Sequence, residues 1–185
     1  MNNLTEKIYE KVKSIMDKWS KKDIYAVSFF VYSNECFEYK EFSNVSTFMI
    51  SYNREKDCKG AGTYDEERWN YAFWRQNEKS IIDPDKPDDL IDQLYGWYAE
   101  NGIVPGVEGE DDDAPAGHIE LLKMASAVAR RLQEEGYLQN RFGKKIPIIV
   151  HGLEYDFHDL QATEKANPYG EAKDFFTAME ELGFA

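Results

Sequence analysis

Cysteine, long apolar runs and positive charge are all scarce in this chain, and each shortage excludes something. The 185 residues carry 22 lysines and arginines against 35 aspartates and glutamates, a formal charge of −13. A negative excess of this size repels nucleic acid and anionic membranes, so neither is expected as a partner. No run of about 18 apolar residues occurs, so no membrane-spanning helix is expected. The opening residues, MNNLTEKIYE, lack the basic start and apolar core of an export signal, and a cytoplasmic location is expected. There Cys36 and Cys58 are expected as reduced thiols rather than a disulfide. Motifs that would name a reaction are also missing: no G-x-S-x-G, no phosphate-binding glycine loop, no G-x-G-x-x-G and no H-E-x-x-H. No cofactor or metal is expected.

What is present suits a globular domain. Hydrophobic residues make up 42% and aromatics 15%, more than a disordered acidic chain carries, and the length fits a single domain with its own core. Leu4, Ile8, Val12, Ile15, Met16 and Trp19 recur at helical spacing and predict an amphipathic helix ending near Lys21. Asp23–Ser33 is apolar on both faces and predicts a central strand. Cys36–Phe42 and Thr47–Asn53 follow after short turns, which predicts an antiparallel meander. Thr63 and Glu66 form a capping box, and a helix is expected through YDEERWNYAFWRQNE. Another helix begins near Asp85, with Pro87, Asp88 and Asp89 in its first turn and a stripe of Leu90, Ile91, Leu94, Trp97 and Tyr98. A long helix from about His118 to Glu135, a buried strand at Ile146–Val150 and a last helix after Asn167-Pro168 complete the reading. The class is α+β: a small, mainly antiparallel sheet, a three-strand meander plus one late strand, packed with five to six helices in one domain. Residues 104–117, rich in Gly, Pro and Asp, are expected to form a mobile acidic loop.

Charge is unevenly spread. Eleven carboxylates (Asp83, Asp85, Asp88, Asp89, Asp92, Glu100, Glu108, Glu110, Asp111, Asp112 and Asp113) stand against one base, Lys86, giving a local charge of −10. Such a lobe steers a basic protein partner inward. The aromatic run Trp69, Tyr71, Phe73 and Trp74 points around more than half a helix. Most of it is expected in the core, and the remainder would offer an aromatic anchor such as Trp69 or Trp74 at an interface.

The alternative is chemical. His151, Glu154, Asp156, His158 and Asp159 follow a buried strand, and two imidazoles with carboxylates are the donor types of a small hydrolase or a metal-dependent enzyme. The seven-residue separation of His151 and His158 fits neither one helix face nor a zinc signature, and Asp156 and Asp159 suit helix capping equally well. DPDKPDD departs from a calcium loop after three positions. Cys58 lies between Asp57 and Lys59, where a neighbouring cation would lower its pKa slightly, although an incidental surface thiol is the plainer reading. An adaptor that dimerises through an exposed sheet edge is a further possibility.

The strand DIYAVSF, the ISYNRE segment, the DEERWNYAFWRQNE segment and the late block FGKKIPIIVHGLEY…ATEKANP together resemble a bacterial family of about this length, known only as a domain of unknown function. The resemblance runs from about Asp23 to Pro168. The chain is thereby similar to acidic immunity proteins encoded beside polymorphic toxins. That likeness implies a non-enzymatic binding module whose partner is a toxin, and it carries over no catalytic residue.

Overall fold

The segment that is apolar on both faces becomes the centre of the sheet. Residues Ile24–Tyr32 form β1, with eight of nine side chains buried. The strand β2, Thr47–Arg54, lies antiparallel against it, with Phe29 opposite Ile50 and Tyr32 opposite Thr47. The short β3, Lys79–Ile82, pairs antiparallel with β2. On the other side of β1, β4 (Ile148–His151) pairs in parallel, with Val27 opposite Ile148 and Phe30 opposite His151. The sheet order is β3-β2-β1-β4, so the fold is α+β with a mixed sheet. The computed structural model describes residues 3–20, 22–32, 46–84, 86, 88–104 and 116–183.

As expected, three consecutive strands form an antiparallel meander and one late strand joins it, but β2 pairs directly with β1, so Thr47–Arg54 is the second strand of the meander rather than the third. The third antiparallel strand is β3, whose four residues have only Ile81 and Ile82 buried, too short a signal for the apolar pattern to mark. The expected strand Cys36–Phe42 and most of the expected loop 104–117 lie outside the described residues.

Alternation along the strands divides the core in two. Val27, Phe29, Val31, Ile148 and Val150 face a layer of three helices: α1 (Asn3–Met16), α3 (Asp89–Glu100) and α4 (Ala116–Glu134). Ala26 and Ile149 face the other way, toward Trp69, Trp74 and α7 (Lys173–Leu182). The first helix keeps its predicted stripe but ends at Met16, and Trp19 enters the core from the turn beyond. Gly136, at φ 66, breaks the chain out of α4 and starts a short helix, α5, at Tyr137–Phe142.

The helix expected from Thr63 to Glu78 is broken. Only Glu66–Trp69, α2, is α-helical, and Tyr71–Phe73 forms a single 3₁₀ turn. Asp65, not Thr63, precedes the helix, and its carboxylate accepts the Gly62 N–H at 2.6 Å. The break has a packing reason. Five positions apart on one helix, Trp69 and Trp74 would diverge by about 140°. With Asn70 extended and its side chain accepting the Ala72 N–H, both indoles pack edge-on to Tyr25, at 5.7 and 6.4 Å between ring centres.

The sheet edge at β4 is closed by a helix. Alternate residues of β4 turn their N–H and C=O groups away from β1, and α6 (Phe157–Ala166) runs alongside. Thr163 Oγ1 accepts the Val150 N–H and donates to the Val150 carbonyl, both at 2.9 Å. Asn167 Oδ1 accepts the Ile148 N–H at 3.0 Å, and its Nδ2 donates to the Ile148 carbonyl at 2.7 Å. Asp159 Oδ2 accepts the Gly152 N–H at 2.8 Å. Residues 159, 163 and 167 recur every four positions, a rise of about 6.0 Å, whereas two strand residues span about 6.6 Å. The near match lets side chains of one helix face stand in for a neighbouring strand over three rungs. Asn167, expected to cap the last helix, is committed here instead, and α7 begins at Lys173.

Candidate functional site

The acidic lobe is only partly available. Asp83, Asp88, Asp89, Asp92 and Glu100 are described; Asp85, Glu108, Glu110, Asp111, Asp112 and Asp113 lie outside the described residues. Asp88 caps α3, accepting the Leu90 N–H at 3.0 Å and the Ile91 N–H at 3.4 Å, and Lys11 Nζ approaches its Oδ2 at 2.7 Å. Desolvation pushes the Asp88 carboxyl up, but Lys11 and the two backbone donors together hold it below the ordinary carboxylate value. Asp83 accepts from Ser80 at 3.1 Å and pairs with Lys86 at 3.2 Å. These two therefore depart from the expected free steering surface: helix capping and nearby lysines have claimed them. Asp89, Asp92 and Glu100 differ. They are exposed on the outer side of α3, opposite Leu90, Ile91, Leu94 and Tyr98, and have no ion pair among the described residues.

The predicted aromatic anchors are core residues. Trp69 and Trp74 are 3% and 4% exposed, and their indole N–H groups donate to the carbonyls of Thr63 at 2.6 Å and Arg68 at 2.8 Å. An indole buried on both faces with its one donor satisfied cannot insert into a partner. The exposed aromatic of that segment is Phe73, at 54%. Arg68, beside Trp69, stacks its guanidinium 4.1 Å from the Tyr25 ring centre and grips Glu55 through two contacts of 2.9 Å. Cys58 is buried rather than a surface thiol, and burial raises its pKa despite the nearby Arg68.

The His151 group does not assemble into a centre. His151 is fully buried, with Nε2 2.8 Å from Ser28 Oγ and Nδ1 2.7 Å from the Gly152 carbonyl. A carbonyl can only accept, so Nδ1 carries the proton and Nε2 accepts from Ser28. The rings of Phe30, Tyr71, Trp74 and Tyr155 stand 4.8 to 6.0 Å away. Burial pushes this imidazole down to about 4, so it stays neutral near pH 7. Both nitrogens are engaged and neither meets solvent. Glu154 is exposed, His158 half-buried, and Asp156 caps α6 by accepting the Asp159 N–H at 2.8 Å. Among the described residues no three His, Cys, Asp or Glu side chains are grouped to hold a metal. The imidazole faces the sheet interior while Glu154 and Asp156 face outward and Asp159 is buried against the Gly152 N–H, so the group does not converge on one point.

Neither a known protein family, nor a curated protein, nor a solved structure matches this chain.

The burial of two titratable side chains is not legible in the sequence. His118 is buried with Nδ1 3.1 Å from Ser46 Oγ, and burial holds its imidazole below the ordinary value. Asp159 is 2% exposed, and its Oδ1 has no hydrogen-bond partner among the described residues. Burial pushes this carboxyl up to about 7 against the lowering effect of the Gly152 N–H. Among the described residues no helix is long and apolar enough to cross a membrane.

Proposed function

We propose that this chain is a non-enzymatic, cytoplasmic protein-binding module of the toxin-immunity type that takes a basic protein partner. The observation that carries the reading is the outer side of α3, where Asp89, Asp92 and Glu100 are exposed and have no ion pair among the described residues. No lysine or arginine occurs between Lys86 and Lys123, so the sequence supplies no counter-charge along this stretch. Of the basic side chains on the next helix, Arg130 pairs with Glu134 at 2.7 Å and Arg131 with Glu6 at 2.6 Å. Unpaired carboxylates on a rigid helix accelerate encounter with a cationic surface, such as the phosphate-binding cleft of a nuclease toxin. The enclosed, neutral His151 supports binding rather than catalysis.

The test begins with affinity capture of the partner from the source cell, followed by association rates across ionic strength. Salt is expected to slow association by roughly 10- to 1,000-fold, and Asp89→Asn/Asp92→Asn/Glu100→Gln should remove part of that dependence. A rate indifferent to salt in both proteins overturns the reading.

A further inference from the structure

The second layer of the fold carries its own acidic surface, assembled from parts far apart in sequence. The short helix α2 forms a ridge with a cleft on each side. One cleft, about 490 Å3, is lined by Asp65, Glu67 and Phe73, with Cys58 and Lys59 beneath. The other, about 330 Å3, is lined by Glu66, Leu153, Glu154 and Leu182 over Met179. Phe73, Leu153 and Leu182 are 54%, 61% and 36% exposed. Singly exposed apolar side chains need no explanation. Three of them flanking one ridge, each beside a carboxylate, form a pattern. Glu66, Glu67 and Glu154 have no cation within ion-pair distance among the described residues, and Lys59 is the one cation lining either cleft. Arg68, on α2 itself, is turned away to Glu55 and Tyr25. The C-terminal end of α7, at Leu182, adds the negative end of a helix dipole to the second cleft.

The geometry points to the α2 ridge as the docking surface for a partner segment that alternates lysine or arginine with apolar side chains. The apolar groups would enter the two clefts beside Phe73 and Leu153, and the cations would meet Glu66, Glu67 and Glu154. This rests on the binding-module reading and gives it a contact surface. The ridge lies on the sheet face opposite α3, so the two acidic surfaces can be altered separately.

The experiment uses the full chain, labelled with ¹⁵N. It is titrated with a synthetic peptide of alternating leucine and lysine, and with a leucine–glutamate peptide of equal length as control. The lysine peptide is expected to shift the amides of Phe73, Leu153 and Leu182. Phe73→Ser/Leu153→Ser should weaken binding by about ten-fold or more, as loss of central apolar contacts does. Glu66→Gln/Glu67→Gln should weaken it in a salt-dependent way. All four positions are exposed, and unshifted amides elsewhere report an intact fold. Shifts confined to Asp89 and Asp92 overturn the docking surface while leaving the binding-module reading in place. Equal binding of the glutamate peptide, or no binding of either peptide, also overturns it.

Discussion

Replacing Asp159 with asparagine should expose a pH dependence that the native protein cancels internally. Two buried groups have shifted in opposite senses. The Asp159 carboxyl sits at about 7 in the fold against 3.8 ordinarily, and His151 at about 4 against 6.5. Between about pH 4 and 7 the folded chain holds a proton on Asp159 that the unfolded chain has released, so this group destabilises the fold as pH rises. Over about pH 6.5 to 4 the unfolded chain protonates His151 while the folded chain does not, so this group destabilises the fold as pH falls. At about 1.36 kcal/mol per pH interval of one, the ceilings are roughly 4 kcal/mol for Asp159 and roughly 3 kcal/mol for His151. Where the windows overlap, the two slopes oppose each other. Asparagine mimics the protonated carboxyl: it can still accept the Gly152 N–H and cannot ionise. Urea unfolding followed by tryptophan fluorescence, at about pH 5 and about pH 8, reads the effect. Asp159→Asn should gain stability relative to wild type on going from the acidic to the alkaline condition, by roughly 2.5 kcal/mol, the part of the Asp159 window that lies above about pH 5, and should itself weaken below about pH 6.5. A difference between variant and wild type that stays constant with pH would refute both the raised Asp159 carboxyl and its cancellation against His151.

Other outcomes follow from the same contacts. Thr163→Val keeps the shape of a fully buried side chain but orphans the N–H and C=O of Val150, and should cost about 2–4 kcal/mol in the same unfolding assay. Phe29→Ala, at the centre of the sheet against Phe48 at 5.3 Å, should cost about 3–5 kcal/mol. Asp88→Ala removes the α3 cap and the Lys11 contact, and should lower stability by about 1–2 kcal/mol at neutral pH. Asp89→Asn/Asp92→Asn, which remove only exposed charge near the α3 N-terminus and no hydrogen-bonded cap, should lower stability by less than about 1 kcal/mol in a salt-dependent way, unlike Asp88→Ala.

Local periodicity accounts for what could be read in advance. The stripe of the first helix, the two-sided apolar strand and the apolar stripe of α3 each depend on neighbours within a turn or two. What could not be read depends on distant partners. The break after Trp69 exists because Tyr25 collects two indoles from 44 and 49 positions away. Lys11 is 77 residues from Asp88, so the neutralisation of part of the acidic lobe has no local trace. Asn167-Pro168 reads as a helix start, and only the presence of Ile148 beside it turns that asparagine to another use. The candidate site divides likewise. The unpaired carboxylates of α3 were visible in one contiguous segment, whereas Phe73, Leu153 and Leu182 come from three separate ones. The enzyme-like cluster after β4 looked dense because residues close in sequence were counted together, although the chain turns them to opposite sides.

The side-chain rungs along β4 also limit how copies of this protein can associate. An unpaired strand margin invites a second chain to extend the sheet. Here the groups of Ile148, Val150 and Gly152 that would recruit one are already occupied, so growth on that flank would require stripping α6 away and baring three buried polar side chains. Association by sheet extension is thus barred at β4, and among the described strands only β3 leaves a margin where the sheet could be extended.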